Sequence, residues 1–242
     1  MSSHSNPIGL HARSNWWPSA ATCAFLASGE EICSFVLYLL QRNKAIGFAG
    51  STLSLGVTYL VFAELILVVL GVTVKATALW AVGRHRQAVA PVSARLGQWA
   101  VAVYVLSLPL AVGMPTLVLI IPITLGVGVL PAAVSKWAYQ VALIPLTLVF
   151  GSLGWATHGG TSRSQRWASG GMLAVATFGV FSVTWRVSGL PTGERWLWVG
   201  SLDAALRAAT WVAVGAWLRS TTIVSRAASF QIKRSTETLP NP

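Results

Sequence analysis

The sequence predicts an all-α membrane protein, a bundle of about seven transmembrane helices with its N-terminus outside and its C-terminus cytoplasmic. Three observations carry that expectation. Of 242 residues, 54% are hydrophobic and 10% charged, where soluble domains carry about 25% charged residues. The apolar residues gather into runs near the ~20 residues that a helix needs to cross hydrocarbon. The seventeen Lys and Arg, set against six acids, lie mostly between those runs. Such a composition excludes a disordered chain, which needs low hydrophobicity and high charge. It also speaks against nucleic-acid binding, because the basic residues form no stripe.

Residues 1–18 are polar and lack the short apolar core and small-residue cleavage site of a removable signal. The first apolar run, 19–40, is therefore expected to stay as an anchor. Further spans are expected at 46–66, 68–84, 96–119, 134–156, 168–186 and 198–219. Together they make a single domain over 19–220. The stretch 46–83 is too long for one span and barely long enough for two, so the second and third helices need a tight turn near 67. Residues 114–130 are a candidate eighth span, and the basic residues argue against it. With seven spans, Arg42, Lys44, Arg84, Arg86, Arg95, Arg163, Arg166, Arg219, Arg226, Lys233 and Arg234 all fall on one side, as cytoplasmic loops require. Residues 221–242 form a basic tail, expected to be disordered. Cys23 and Cys33 have no disulfide or metal spacing and read as packing residues.

The acids are Glu30, Glu31, Glu64, Glu194, Asp203 and Glu237. An ionisable residue inside a span costs about 2.5–3.5 kcal/mol on insertion scales, which makes it a functional candidate. Glu64 closes the second expected helix and Asp203 opens the seventh, so topology puts both in the outer half of the membrane. The structural alternatives are ion pairs, Asp203 with Arg207 four residues on, and Glu64 with Lys75 across the hairpin. Glu30 and Glu31 are adjacent and point about 100° apart. One of them is expected to face the interior and the other a polar neighbour. Asp203, Arg207 and Trp211 recur on one helix face. Trp185, Trp196 and Trp198 lie near the outer end. Most of the twelve Trp suit an interfacial aromatic belt, with Trp211 and a neighbour such as Trp198 or Trp185 as cavity walls.

Several chemistries lack their residues. One Asp in the whole chain leaves Mg²⁺–diphosphate chemistry without its oxygen ligands. His4, His11, His85 and His158 form no pair within the spans, which argues against haem or zinc. Ser152 and His158 have no third partner for a hydrolytic triad, and no glycine-rich phosphate loop occurs. No cofactor or metal is expected. A carboxyl held neutral in hydrocarbon can donate a proton to an apolar substrate, and aromatic faces can stabilise a cation.

Several short stretches resemble the integral-membrane terpene cyclases of meroterpenoid and prenyl-indole biosynthesis. These are Leu26-Ala27-Ser28-Gly29, Gly50 with Glu64 beyond it, Ala90-Pro91-Val92 with Leu96 and Trp99, Gly160-Thr161-Ser162-Arg163, and Trp185-Arg186. The resemblance runs over most of 20–220. Ala63 stands where the family commonly has Trp before its Glu, and Glu30-Glu31 replaces an apolar pair. The resemblance implies a metal-free, proton-initiated cyclisation of a polyprenyl chain on an aromatic or indole group, with Glu64 and Asp203 as the two acids. Its partners would be a lipophilic prenylated small molecule and membrane lipid. The Ala- and Arg-rich, Lys-poor usage suits a high-GC bacterium, hence a multi-pass protein of the bacterial plasma membrane, or of the endoplasmic reticulum in a eukaryote. Two other functions fit the same acids. One is a small proton-coupled transporter or channel, in which Glu30, Glu31, Glu64 and Asp203 form a path. The other is a respiratory or assembly anchor without a site of its own.

Overall fold

A computed structural model describes the backbone of residues 17–47, 55–107, 132–187 and 195–237, with side-chain surroundings given over 19–37, 39, 66–107, 143–185 and 199–221. Among the described residues there are six helices and no strand. They are α1 (Trp17–Gly47), α2 (Leu55–Arg86), α3 over 91–107, α4 (Ala132–Thr157), α5 (Arg163–Val187) and α6 (Arg195–Glu237). Among the described residues, three stretches are long and apolar enough to cross a membrane: Ser19–Leu37, Ile66–Arg86 and Arg163–Trp185.

The expected turn near 67 is absent. α2 runs unbroken for 32 residues, about 48 Å at 1.5 Å per residue, in place of the second and third spans. Between 55 and 86 the chain has no proline, and hydropathy alone does not break a helix. The candidate eighth span at 114–130 lies outside the described residues. α6 continues to Glu237, so most of the stretch expected to be a disordered tail is helical. Ala227, Ala228, Gln231, Lys233 and Arg234 are good or fair helix formers, with no proline before Pro240.

Two turns are legible residue by residue. Between α2 and α3 the amides of Val89 and Ala90 donate to the Arg86 carbonyl at 3.0 and 2.8 Å. Pro91 then takes the first helical position, where a missing N–H costs nothing. α4 ends at Thr157, and the turn after it passes through Gly159, whose φ of +79° only glycine adopts freely. Ser162 caps α5, its Oγ accepting from the Gln165 amide at 3.2 Å. Gln165 Nε2 in turn donates to the Thr157 carbonyl at 3.1 Å, so one side chain ties the two helix ends together.

α1 and α6 are antiparallel: Ser28 Oγ donates to the Ala208 carbonyl at 3.0 Å, and the Phe25 ring lies over Gly215. His85 near the end of α2 meets Trp217 edge-on at 5.4 Å between ring centroids. The start of α1, the end of α2 and the Arg219 stretch of α6 therefore share one end of the bundle. This differs from the expected arrangement with the N-terminus opposite the C-terminal side. With one unbroken helix in place of two short spans, the chain runs along the bundle twice rather than three times before the α2–α3 turn, so α1 starts at that turn's end.

The core is built from Ala20, Ala24, Ala27, Leu79, Val82, Phe150, Leu153, Met172, Trp211 and Trp217. Outward positions are apolar as well, with Val92, Trp99 and Leu106 all more than 70% exposed. Charged Glu31, Lys75 and Arg207 are buried instead. A surface of large apolar side chains around buried charges suits hydrocarbon better than water. Cys23 packs against the core as expected, whereas Cys33 is exposed on the outward face of α1.

Candidate functional site

The buried charges meet where α1, α2 and α6 come together. On α1 the inward face carries Ala20, Ala24, Ala27, Ser28 and then Glu31. This three-to-four spacing brings small residues onto one side of a helix, letting neighbouring backbones approach closely. On α2 the inward face carries Val72, Lys75, Ala78, Leu79 and Val82, and on α6 it carries Arg207, Trp211, Val214 and Leu218. Each charged residue is in phase with an apolar packing stripe, so closing the bundle forces the charges together.

Lys75 is the hub. Its Nζ lies 2.5 Å from Glu30 Oε2 and 2.6 Å from Glu31 Oε1, with the lysine side chain 8% exposed and the glutamates 12% and 10%. Glu30 also accepts a hydrogen bond from Ser34 Oγ at 3.1 Å, while Glu31 lies beside Arg207 and Trp211. Glu31 is thus the inward carboxyl and Glu30 the one with a polar neighbour. The two point to different sides of α1, yet the long lysine reaches between them and both find it. Room for Glu30 comes from Gly71, one turn before Lys75, because a Cβ there would stand 2.5 Å from Glu30 Cδ. Tyr104 of α3, 6% exposed, is close enough to feel the charges of Lys75, Glu31, Glu30 and Arg207.

Next to this group, Arg207 grips Asp203 through two bonds, Nε to Oδ1 at 3.0 Å and Nη2 to Oδ2 at 2.7 Å. Such a bidentate guanidinium–carboxylate pair is among the stronger polar contacts available to a protein. Asp203 therefore sits as the ion pair that its spacing from Arg207 allows. Lys75 pairs with Glu30 and Glu31 rather than across a hairpin. Glu64 belongs to α2, but its side chain lies outside the described residues, as does that of Trp198. The shared Glu64–Asp203 cavity is therefore not among the features described.

Of the aromatic candidates, Trp211 is fully buried and meets Phe150 edge-on at 5.4 Å. Its indole N–H is buried without a partner in hydrogen-bond geometry, beside the Glu31 carboxyl. Trp185 packs on Phe181 at 5.7 Å between ring centroids, at the far end of α5. Exposed Trp155 and Trp167 flank His158 and Arg163 at the basic end of the bundle, as an interfacial belt requires.

Counted as charges, the centre sets three carboxylates, Glu30, Glu31 and Asp203, against two cations, Lys75 and Arg207. Among the described residues no three His, Cys, Asp or Glu side chains gather as metal ligands. The ammonium of Lys75 fills the space between the two glutamates. Sequence reasoning treated Lys75 and Arg207 only as neutralising partners. Applying the cost of buried charge to bases as well as acids would have singled out Lys75, the one lysine between Lys44 and Lys136. No family model, no curated protein and no solved structure matches this chain.

Proposed function

We propose that the chain is a multi-pass membrane protein that handles protons through the Glu30–Lys75–Glu31 centre, as a small proton-coupled transporter or channel. The observation that carries this reading is one ammonium shared by two buried carboxylates. With Asp203 and Arg207 balancing each other, the three remaining groups hold one carboxylate too many. An apolar bundle favours a neutral centre, and one bound proton supplies neutrality. Losing or gaining that proton alters which glutamate holds Lys75, and Lys75 ties α1 to α2. Proton occupancy and helix contact are thereby coupled, which a carrier requires.

The same packing supports one membrane orientation. The end that joins α2 to α3 and α4 to α5 bears Arg84, Arg86, Arg163 and Arg166, and α6 brings Arg219 to it. By the preference of basic residues for the cytoplasm, that end is cytoplasmic, and α1 starts there.

The test is proton flux in proteoliposomes under an imposed pH gradient. Flux that disappears in Glu31→Gln and falls in Glu30→Gln, with the protein still folded, is the expected result. Flux indistinguishable from empty liposomes in the wild type would sink the reading.

Cyclisation of a prenylated aromatic is the second reading. It is favoured by Asp203, Arg207 and the buried Trp211 on successive turns of α6, together with the sequence resemblance. Asp203 bound to Arg207 would act by orienting or accepting a proton, with Glu64 as donor. Incubating membranes with prenylated indoles should then yield an isomer of unchanged mass that Glu64→Gln abolishes. Product formation that ignores both Glu64→Gln and Asp203→Asn would remove this reading.

A further inference from the structure

Away from the charge centre, the outer side of the α5–α6 seam carries a shallow groove of about 490 Å³, open along its side. Its lining includes Ala209, Ala213 and Ala216 of α6 and Trp167, Ser164 and Arg163 of α5. The lining is apolar except at one end. From Ala216 to Ala209 the groove follows about 10 Å of helix at 1.5 Å per residue, inside the ~15 Å depth of one leaflet's hydrocarbon. Its mouth lies where the apolar span Arg163–Trp185 begins.

The mouth is polar and positive. Ser164 Oγ lies 3.3 Å from Ser220 Oγ, and Arg163 and Arg219, the residues just before these serines, are both exposed. Arg166 is exposed at the same end. Among the described residues the ion-paired acids are Glu30, Glu31 and Asp203, all taken up by Lys75 and Arg207. No described carboxylate answers the arginines at the mouth. Trp167, 66% exposed, flanks the groove at the depth where indole rings sit among lipid headgroups.

The geometry points to a binding site for one anionic phospholipid, its phosphate held by Arg163 and Arg219 and an acyl chain lying on Ala209, Ala213 and Ala216. The alanines leave the volume, the open side lets a lipid enter from the bilayer, and the unanswered arginines select a negative headgroup. This site is independent of the charge centre and of which activity the centre supports.

Native mass spectrometry of the purified full chain tests it, with phosphatidylglycerol, phosphatidylcholine or inorganic phosphate added. The expected result is retention of phosphatidylglycerol over phosphatidylcholine by about thirtyfold, the preference that two basic residues exert on an anionic lipid surface. The double substitution Arg163→Ala with Arg219→Ala should erase the preference, while Arg163→Lys keeps most of it. Ala213→Leu fills the groove and should lower retention of both lipids, with helix content unchanged by circular dichroism. Equal retention of the two lipids by the wild type, or a preference untouched by the double substitution, would overturn the proposal. So would displacement of phosphatidylglycerol by millimolar inorganic phosphate, which would make the site one for a free anion. Unchanged retention in a folded Ala213→Leu protein would remove the groove as the acyl-chain seat.

Discussion

The α4–α5 pair and the α1–α2–α6 cluster solve the same problem in opposite ways. Both must place polar side chains inside an apolar bundle. Along α4 and α5 the buried polar groups are neutral, mostly short hydroxyls that donate to backbone carbonyls. Thr147 donates to Leu143 at 2.8 Å, Thr157 to Leu153 at 2.9 Å, and Ser169 across the interface to Gly154 at 2.9 Å. Each group is neutral and satisfied. At α1, α2 and α6 the polar groups are ionisable, come from three helices and are present in unequal numbers. The first arrangement offers one favourable state. On the proposed reading the second offers two, differing by where a proton and the lysine lie, and it is the one suited to moving protons.

The contrast can be broken by removing its hub. Lys75→Met should be the most damaging single change, because it leaves two buried carboxylates facing each other. Losing one partner of a buried pair costs about 3–5 kcal/mol, and thermal unfolding in detergent should register it. A triple variant, Lys75→Met with Glu30→Gln and Glu31→Gln, should recover most of that stability while remaining inactive. Failure of the triple variant to recover would mean that Lys75 acts mainly through packing.

Gly71→Ala probes position without touching charge. Its Cβ would displace the Glu30 carboxyl, so Glu30 should lose Lys75 while Glu31 keeps it. Proton flux should drop to the level of Glu30→Gln, with a stability loss within the about 1–3 kcal/mol typical of overpacking. Wild-type flux in a folded Gly71→Ala protein would show that Glu30 is a bystander.

On the quiet side of the comparison, Ser169→Ala removes a hydroxyl bond between α4 and α5. Interhelical bonds of this kind are worth about 0.6 kcal/mol on average. The change should shift unfolding slightly and leave flux as it was. A large loss of flux here would mean that the two regions are coupled and the contrast is too sharp.

Much of this was legible in the chain. The all-helical character and the apolar stretches long enough to cross a membrane follow from apolar runs, whereas the caps at Pro91 and Ser162 emerged only with the structure. The pairing of Asp203 with Arg207 is local, four residues on one helix, so spacing suffices to foresee it. The shared hub was not legible in the same way. Glu30 and Lys75 are 45 positions apart, and hydropathy says nothing about which helices adjoin. The division of α2 into two spans failed because average hydropathy sets where a helix is comfortable, whereas a break needs a residue that ends it.

By itself the sequence determined an all-helical chain with apolar stretches long enough to cross a membrane, and the few charges that must be explained among them. Those are consequences of composition and of helical period, which act over a turn or two. Only the tertiary structure decided that α1, α2 and α6 pack together, that Lys75 stands between Glu30 and Glu31, and that α5 and α6 leave a groove beneath Arg163. Burial removes the water that would otherwise answer each charge, so the answer comes from whichever helix is brought alongside. Which helix that is depends on small residues fitting against large ones across the whole bundle, a property that no single segment contains.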